Sequence, residues 1–411
     1  MWKYRKLLIS VVGGLGIIGV WSGGNGFPVD AAEGMTKDKK PLERAFPHSN
    51  KCKRCHERVF EEWEASPLSQ SIHSAPFRVA LDRYLDTERN RDRTFCFRCH
   101  APHILEYPEQ ADHFTKEVQS RDPLIDGVGC AQCHLVNTVD STVKPPHPHF
   151  ALGKTVFGGY KKPVSNLAHQ SKALDLFKSS TFCLMCHEAL PDRDKEHQMP
   201  GLLGDWKNTQ ANQKGKACQS CHMPEQFGES ANGERNRKVA NHTFPGRLGK
   251  LQQEAAELDI QTEVKGKTSV VTVTLQSLVP HNLPLPHPGW VSVILDLTIK
   301  GKNLRKVYGE NRVYTRVFAD AKGKETVFDF EGVTVVKDTV LKPEETRVET
   351  FSFPTPKDAP SMDVIVTLRY EPVKGPSDFL KAIEQASSRG SKDPVFQSID
   401  IVQKKINVLL K

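Results

Sequence analysis

Cys52-Lys53-Arg54-Cys55-His56 sets two thiols three residues apart and a histidine directly after the second. Four more segments repeat the pattern: Cys96-Phe97-Arg98-Cys99-His100, Cys130-Ala131-Gln132-Cys133-His134, Cys183-Leu184-Met185-Cys186-His187 and Cys218-Gln219-Ser220-Cys221-His222. Together they use all 10 cysteines of the 411-residue chain. Two thiols about one helical turn apart can reach the two vinyl groups of one porphyrin. The adjoining histidine then lies under the ring as the proximal iron ligand. The string is therefore the attachment site of a c-type haem, and five copies imply five haems c as cofactors.

Other uses of paired cysteines fit less well. Disulfides suit an exported chain but demand no histidine after every second cysteine. Zinc centres join C-x-x-C units in pairs, which would leave the fifth unit alone. A thioredoxin-like redox motif would occur once.

Of 16 histidines, His56, His100, His134, His187 and His222 are proximal. Eleven remain: His48, His73, His103, His113, His147, His149, His169, His197, His242, His281 and His287. Five irons need at most five distal histidines, so at least six of these do something else. An electron-transfer haem has both axial sites filled, whereas a catalytic haem keeps one open. Position favours His73, one short segment past the first motif, and His169, ahead of the segment entering the fourth. It also favours His242, soon after the fifth motif, and His281, at the end of a strand in the cysteine-free half. His103, His113, His147 and His149 compete for the fifth place, with Met199 as another iron-ligand type. For each, the competing reading is a surface or helix-cap histidine. Met185 and Met223 lie inside or beside motifs and are expected to pack on porphyrin.

The last 190 residues hold no cysteine, which divides the chain chemically in two. With 57 Lys+Arg against 49 Asp+Glu the formal charge is +8, but the signs are interspersed and no basic arm points to nucleic acid. Haem propionates would offset that charge, so it says little about partners. Lys3, Arg5 and Lys6 precede an uncharged stretch beginning at Leu7, and Val29-Asp30-Ala31-Ala32 follows it. Residues 1–32 thus read as a secretory signal peptide, with an uncleaved N-terminal membrane anchor as the alternative. Gly13, Gly14, Gly16 and Gly19 weaken the apolar span and favour the signal. Either way the body is exported to the periplasm or the extracellular space. No other stretch suits a membrane, so a multi-span protein is excluded.

The fold class expected is α+β: a loop-rich, mainly α multihaem domain (33–255), an antiparallel β-sandwich (256–375) and a short helical tail (376–411). First-cysteine spacings of 44, 34, 53 and 35 residues are too uneven for a repeat array. Short helices are expected at Arg58–Ala65, Ala75–Asp86, Ser171–Ser180 and Trp206–Gln213. β-Branched, partly alternating runs predict strands at Leu258–Val264, Ser269–Gln276, Trp290–Ile299, Arg312–Ala319, Glu325–Val336, Thr346–Phe353 and Met362–Tyr370. Seven strands suggest an immunoglobulin-like sandwich, with a barrel as the alternative. In the tail, Phe379, Leu380 and Ile383 form one helical stripe. Asp393-Pro394 reads as a helix start, and Ile399, Val402, Ile406 and Leu409 form a second stripe.

Five C-x-x-C-H strings, with Gly127-Val128-Gly129-Cys130 opening the third, resemble the exported multihaem c-type cytochromes. The tetrahaem electron carriers of nitrification and the haem cores of hydroxylamine oxidoreductase are the most similar branches. Trp63 and Ser66 match that family's Trp, Ser, His segment, but the histidine it has near Leu68 is absent, so either His73 substitutes or that haem is differently ligated. His242 to Gly246 match its His-x-Phe-Pro-Gly segment, and Pro280, His281 and Pro284 match loosely a Gly-His-x-x-Pro segment. The resemblance covers roughly residues 50–300 and implies closely spaced haems, mostly bis-histidine, with electrons hopping between them. Nitrite reductases of this kind use Cys-x-x-Cys-Lys at the active haem, and no such string occurs here. The crosslinked tyrosine of hydroxylamine oxidation can be assigned to none of the seven tyrosines.

The expected function is electron transfer through five haems to and from redox partner proteins, with a homo-oligomer allowed. The alternative is an oxidoreductase with one open-site haem acting on a small nitrogen or sulfur species, and an extracellular conductive assembly is a third reading.

Overall fold

The computed structural model describes residues 40–410 apart from 87–91, 144, 189–201, 247–249, 286, 287, 302, 304, 358 and 391–393. The signal or anchor segment, His197, Met199, His287 and Asp393 lie outside the described residues. Helices come first in the chain and antiparallel sheets follow, a mixed α+β architecture.

Short helices carry the motifs. They are α1 Lys40–Ala45, α2 Asn50–Lys53, α3 Glu57–Glu64, α4 Ala75–Leu85, α5 Phe97–His100, α6 Ala111–Ser120, α7 Cys130–His134, α8 Ser180–His187, α9 Leu202–Lys207, α10 Gln210–Gln213, α11 Cys218–His222 and α12 Lys250–Gln253. α7 and α11 consist of a motif and nothing else, while α5 and α8 end on the motif histidine. A helical turn is what brings residues i and i+3 to one face. The longest helix here, α4, starts after Ser74 with Pro76 in its first turn, where a missing N–H costs nothing. Its Phe77 and Leu81 enter a core with Phe97, Ile104, Phe114 and Val118.

Two expected helices are not formed as drawn. Residues 171–180 give β4 Gln170–Ala173, which runs parallel to β3 Thr155–Gly158, and then a 3₁₀ turn at Asp175–Lys178. Ten residues of helical spacing are marginal on their own, and here Lys154 and Gly158 carbonyls take the Gln170 and Leu174 amides instead. Trp206–Gln213 breaks into α9 and α10 because Thr209 caps the second, accepting from Asn212 N at 3.3 Å. Two further small pairings, β1 Val136–Asp140 with β2 His147–Phe150 and β5 Glu225–Gly228 with β6 Arg237–Ala240, stiffen the long connections.

The cysteine-free half forms β7 Ala256–Lys265, β8 Thr268–Ser277, β9 Ser292–Lys300, β10 Lys306–Tyr314, β11 Arg316–Ala319, β12 Glu325–Thr326, β13 Thr334–Asp338, β14 Thr346–Pro354, β15 Ser361–Glu371 and β16 Ile399–Leu409. Strands order as β14-β8-β7 in one sheet and β10-β9-β15-β16 in another, all antiparallel. Val271, Val273 and Leu275 from the first share one core with Leu295, Leu297, Val364 and Val366 from the second. The expected strand at 312–319 is two strands, because the chain leaves the large sheet after Tyr314 and joins a small one, β12-β11-β13. The expected run 325–336 is likewise interrupted: Phe328 packs edge-on to Phe379 and Phe330 edge-on to Tyr84.

The helical tail is corrected in its second half. Phe379 and Ile383 lie on a helix, α13 Ser377–Ala386, and join Ala75 of α4 in a separate apolar cluster. Residues 399–409 are a strand, paired with β15 along its length. Val402, Ile406, Val408 and Leu410 face the core, a period of two that a bulge at Leu368/Arg369 shifts by one residue. Ile401 is 2% exposed and Leu409 76% exposed, so Leu409 belongs to no buried stripe. The residues spaced three and four apart are apolar because both faces of the strand carry some, and the open edge of β15 decides the conformation.

Candidate haem-binding site

All ten cysteines are free thiols. Thiols from different motifs meet. Cys52 contacts Cys130, Cys99 contacts Cys186, and Cys183 contacts Cys218. Cys133 lies near enough to Cys183 and Cys186 for their charges to interact. The first motif therefore lies beside the third, the fourth beside the second, third and fifth.

Three motif histidines face a second histidine. The ring centroids of His56 and His169 are 6.1 Å apart with planes 22° from parallel. His134 and His242 stand at 6.4 Å and 27°, and His222 and His281 at 6.4 Å and 29°. A metal–imidazole bond of about 2.0–2.1 Å on each side, plus about 1.1 Å from nitrogen to ring centre, calls for about 6.3 Å. The rings thus stand at the separation a shared iron requires. Among the described residues no three His, Cys, Asp or Glu side chains converge as a bare-metal site. Each facing pair could supply two ligands to an iron, with a porphyrin supplying the remaining four. The residues fit haem.

Backbone carbonyls orient the rings. His56 Nδ1 donates to Ser230 O at 2.6 Å, His100 to Ser71 O at 2.7 Å, His134 to Phe157 O at 2.6 Å and His222 to Pro245 O at 2.7 Å. On the opposite side His242 Nδ1 donates to Ala240 O at 2.9 Å and His281 Nδ1 to Asn282 O at 3.0 Å. A carbonyl only accepts, so each Nδ1 keeps its proton and Nε2 keeps a lone pair for a metal. Burial lowers the pKa of His134 and His281, and brings His100 and His242 down to about 4, holding these imidazoles neutral. These orienting carbonyls have no signature in the sequence, because any residue can supply one.

One short turn serves two motifs. In Asn241–Gly246, His242 faces His134 while the Pro245 carbonyl holds His222. Gly246 packs on the His222 ring, where a Cβ would come within 3.3 Å. Phe244 takes φ +47°, a left-handed conformation costly for an aromatic residue and kept by its surroundings. Gly127 has a similar reason: a Cβ there would lie 2.5 Å from the His100 carbonyl and against Ser71.

The remaining candidates are placed otherwise. His73 gives its Nε2 to the Ile125 carbonyl at 3.0 Å. His103 is buried between Phe46 and Phe114 and hydrogen-bonded through Nδ1 to Gln132 of the third motif at 3.1 Å. His113 is exposed and pairs with Glu117 at 3.5 Å. His147 and His149 pack edge-on along β2, with His149 exposed. His48 pairs with Asp126 at 2.9 Å. The ring against His100 is Phe77, at 4.2 Å.

A family profile described as "Cytochrome c554 and c-prime" matches residues 51–135. No curated protein matches the chain. The fold is similar to that of the penta-haem cytochrome c552 from Thermochromatium tepidum, at 18% identity and a TM-score of 0.64, over 89% of this chain and 100% of that one. The C-terminal domain of wzt, at 11% identity, covers 38% of this chain and 74% of its own, but its TM-score of 0.22 carries no argument. The matched segment and the shared fold support a multihaem c-type cytochrome.

Proposed function

We propose that the chain is an exported electron-transfer protein holding five haems c, one at each motif. The observation that carries this reading is the three facing histidine pairs, spaced for an iron capped on both sides. When bound, haem supplies a reversible one-electron iron couple. The facing histidines would hold the iron from both sides, with ring orientation fixed by the Nδ1 bonds to backbone carbonyls. Contact between motifs supports hopping within the molecule. Cys55 of the first motif and Cys221 of the fifth are the exposed thiols, which favours those two ends for exchange with redox partner proteins. The strand order β14-β8-β7 over β10-β9-β15-β16 supports an immunoglobulin-like sandwich that contributes His281. Delivery to the periplasm or beyond rests on residues 1–32, and kinship with hydroxylamine oxidoreductase haem cores rests on the motif resemblance.

A second reading has one observation in its favour: among the described residues no histidine ring is paired with His100 as His169, His242 and His281 are with His56, His134 and His222. An iron there with an open sixth position would suit an oxidoreductase for a small nitrogen or sulfur species. Magnetic-resonance spectra of the oxidised protein, and carbon monoxide addition after reduction, separate the two. Wholly low-spin haem that ignores carbon monoxide is expected for the carrier; one high-spin haem that binds it overturns that reading in favour of the enzyme.

A further inference from the structure

Arg58 and Glu62 stand one turn apart on α3, half-buried, and pair with each other. Arg58 spends its other donors on one carbonyl: Nε and Nη2 reach Glu229 O at 3.0 and 2.8 Å. The next carbonyl along, Ser230 O, is the one that holds His56 Nδ1. Gly228 lets the guanidinium lie flat on the hairpin, since a Cβ there would come within 3.0 Å of Arg58 Nε. Glu62 reaches the other way. Its second oxygen accepts the His242 backbone N–H at 2.9 Å, and His242 faces His134. One ion pair thus grips the carbonyl beside the His56 anchor and the backbone of the ring opposite His134.

We propose that Arg58 and Glu62 are positioning residues that set together the reduction potentials at the first and third motifs. This rests on the haem reading above. Two effects act. The Arg58 fork holds the 229–230 peptide so that Ser230 O draws on the His56 Nδ1–H, which makes His56 a more basic ligand and favours ferric iron. The Glu62 carboxylate offsets the Arg58 charge near both motifs, again favouring the ferric state. An ammonium cannot reproduce the two-pronged grip, whereas an amide can still accept from His242 N–H.

The test is potentiometric titration followed by low-temperature magnetic resonance on the intact holoprotein, on R58K and on E62Q, with haem counted in each. His169→Met and His242→Met variants assign the signals of the two motifs. With five haems per chain retained, E62Q is expected to raise two potentials and leave three in place. R58K is expected to raise only the first-motif potential, since the charge and the Glu62–His242 bond remain. Five haems with unmoved potentials in E62Q would overturn the proposal, as would a uniform shift of all five or loss of haem from both variants. Fewer than five haems in the unsubstituted protein would overturn the haem reading itself.

Discussion

His281→Ala separates the geometry of one site from the rest. His281 comes from the turn after β8, yet its ring stands 6.4 Å from His222 of the fifth motif. That places one ring of the pair on the cysteine-free half and the other on the cysteine-bearing half. On the proposed reading of five haems, removing the imidazole would open one coordination position out of five. About one-fifth of the haem should become high spin, and the reduced protein should bind about one carbon monoxide per chain at that centre. Added imidazole should enter the vacated space and restore the low-spin spectrum. His113→Ala and His149→Ala are controls, because those rings are exposed and face no motif histidine in the structure. Optical and magnetic-resonance spectra with a carbon monoxide titration give the answer. A variant that stays wholly low-spin and binds no additional carbon monoxide would refute the assignment of His281 to that iron.

Further outcomes are open to measurement. Ile401→Ala should cost about 2–4 kcal/mol, because it empties a site closed over by both sheets, whereas Leu409→Ala should stay within about 0.5 kcal/mol; chemical denaturation followed by the β-sheet circular-dichroism signal distinguishes them, and the reverse order would mean a helical tail. The hydrogen bond to Asp126 raises the His48 pKa from its ordinary 6.5. Burial alone would raise Asp126, but bonds from His48 and Ser49 hold it below its ordinary 3.8. The His48 contribution is therefore complete below 6.5 and lost as pH rises through its raised value, and the Asp126 contribution is lost as pH falls below 3.8. His48→Gln should consequently lower the thermal midpoint more at pH 5 than at pH 9, and equal losses would refute the pairing. Denatured-haem absorbance should give five haems per chain, a lower count meaning an unused motif. Expression without haem-maturation machinery should yield a chain whose 40–250 region is protease-sensitive; a resistant apo form would show that region standing without haem.

Helix and strand assignments from periodicity succeeded where one conformation had no competitor. The α3 and α4 segments, and the strands at 256–277, 292–300, 346–354 and 361–371, follow their patterns to within two residues. They went astray where a distant partner supplied an alternative. Residues 170–173 found the open edge of β3, and 399–409 found the open edge of β15, each drawing a segment of helical spacing into a ladder. His73 shows the same limit at the site: its position after the first motif suits a distal ligand, but the Ile125 carbonyl, 52 residues on, takes its Nε2.

The sequence by itself determined the chemistry, because covalent haem attachment needs two thiols and a histidine within one turn, a demand written entirely in local spacing. It also marked the strand-rich, cysteine-free half, since alternation is a local property. Which histidine faces which motif histidine was decided by the tertiary structure alone. His169, His242 and His281 lie 113, 108 and 59 residues from the motif histidines they face. That pairing depends on where hairpins and turns bring rings together across the fold, and on backbone carbonyls such as Ser230 O and Pro245 O that no side-chain pattern announces.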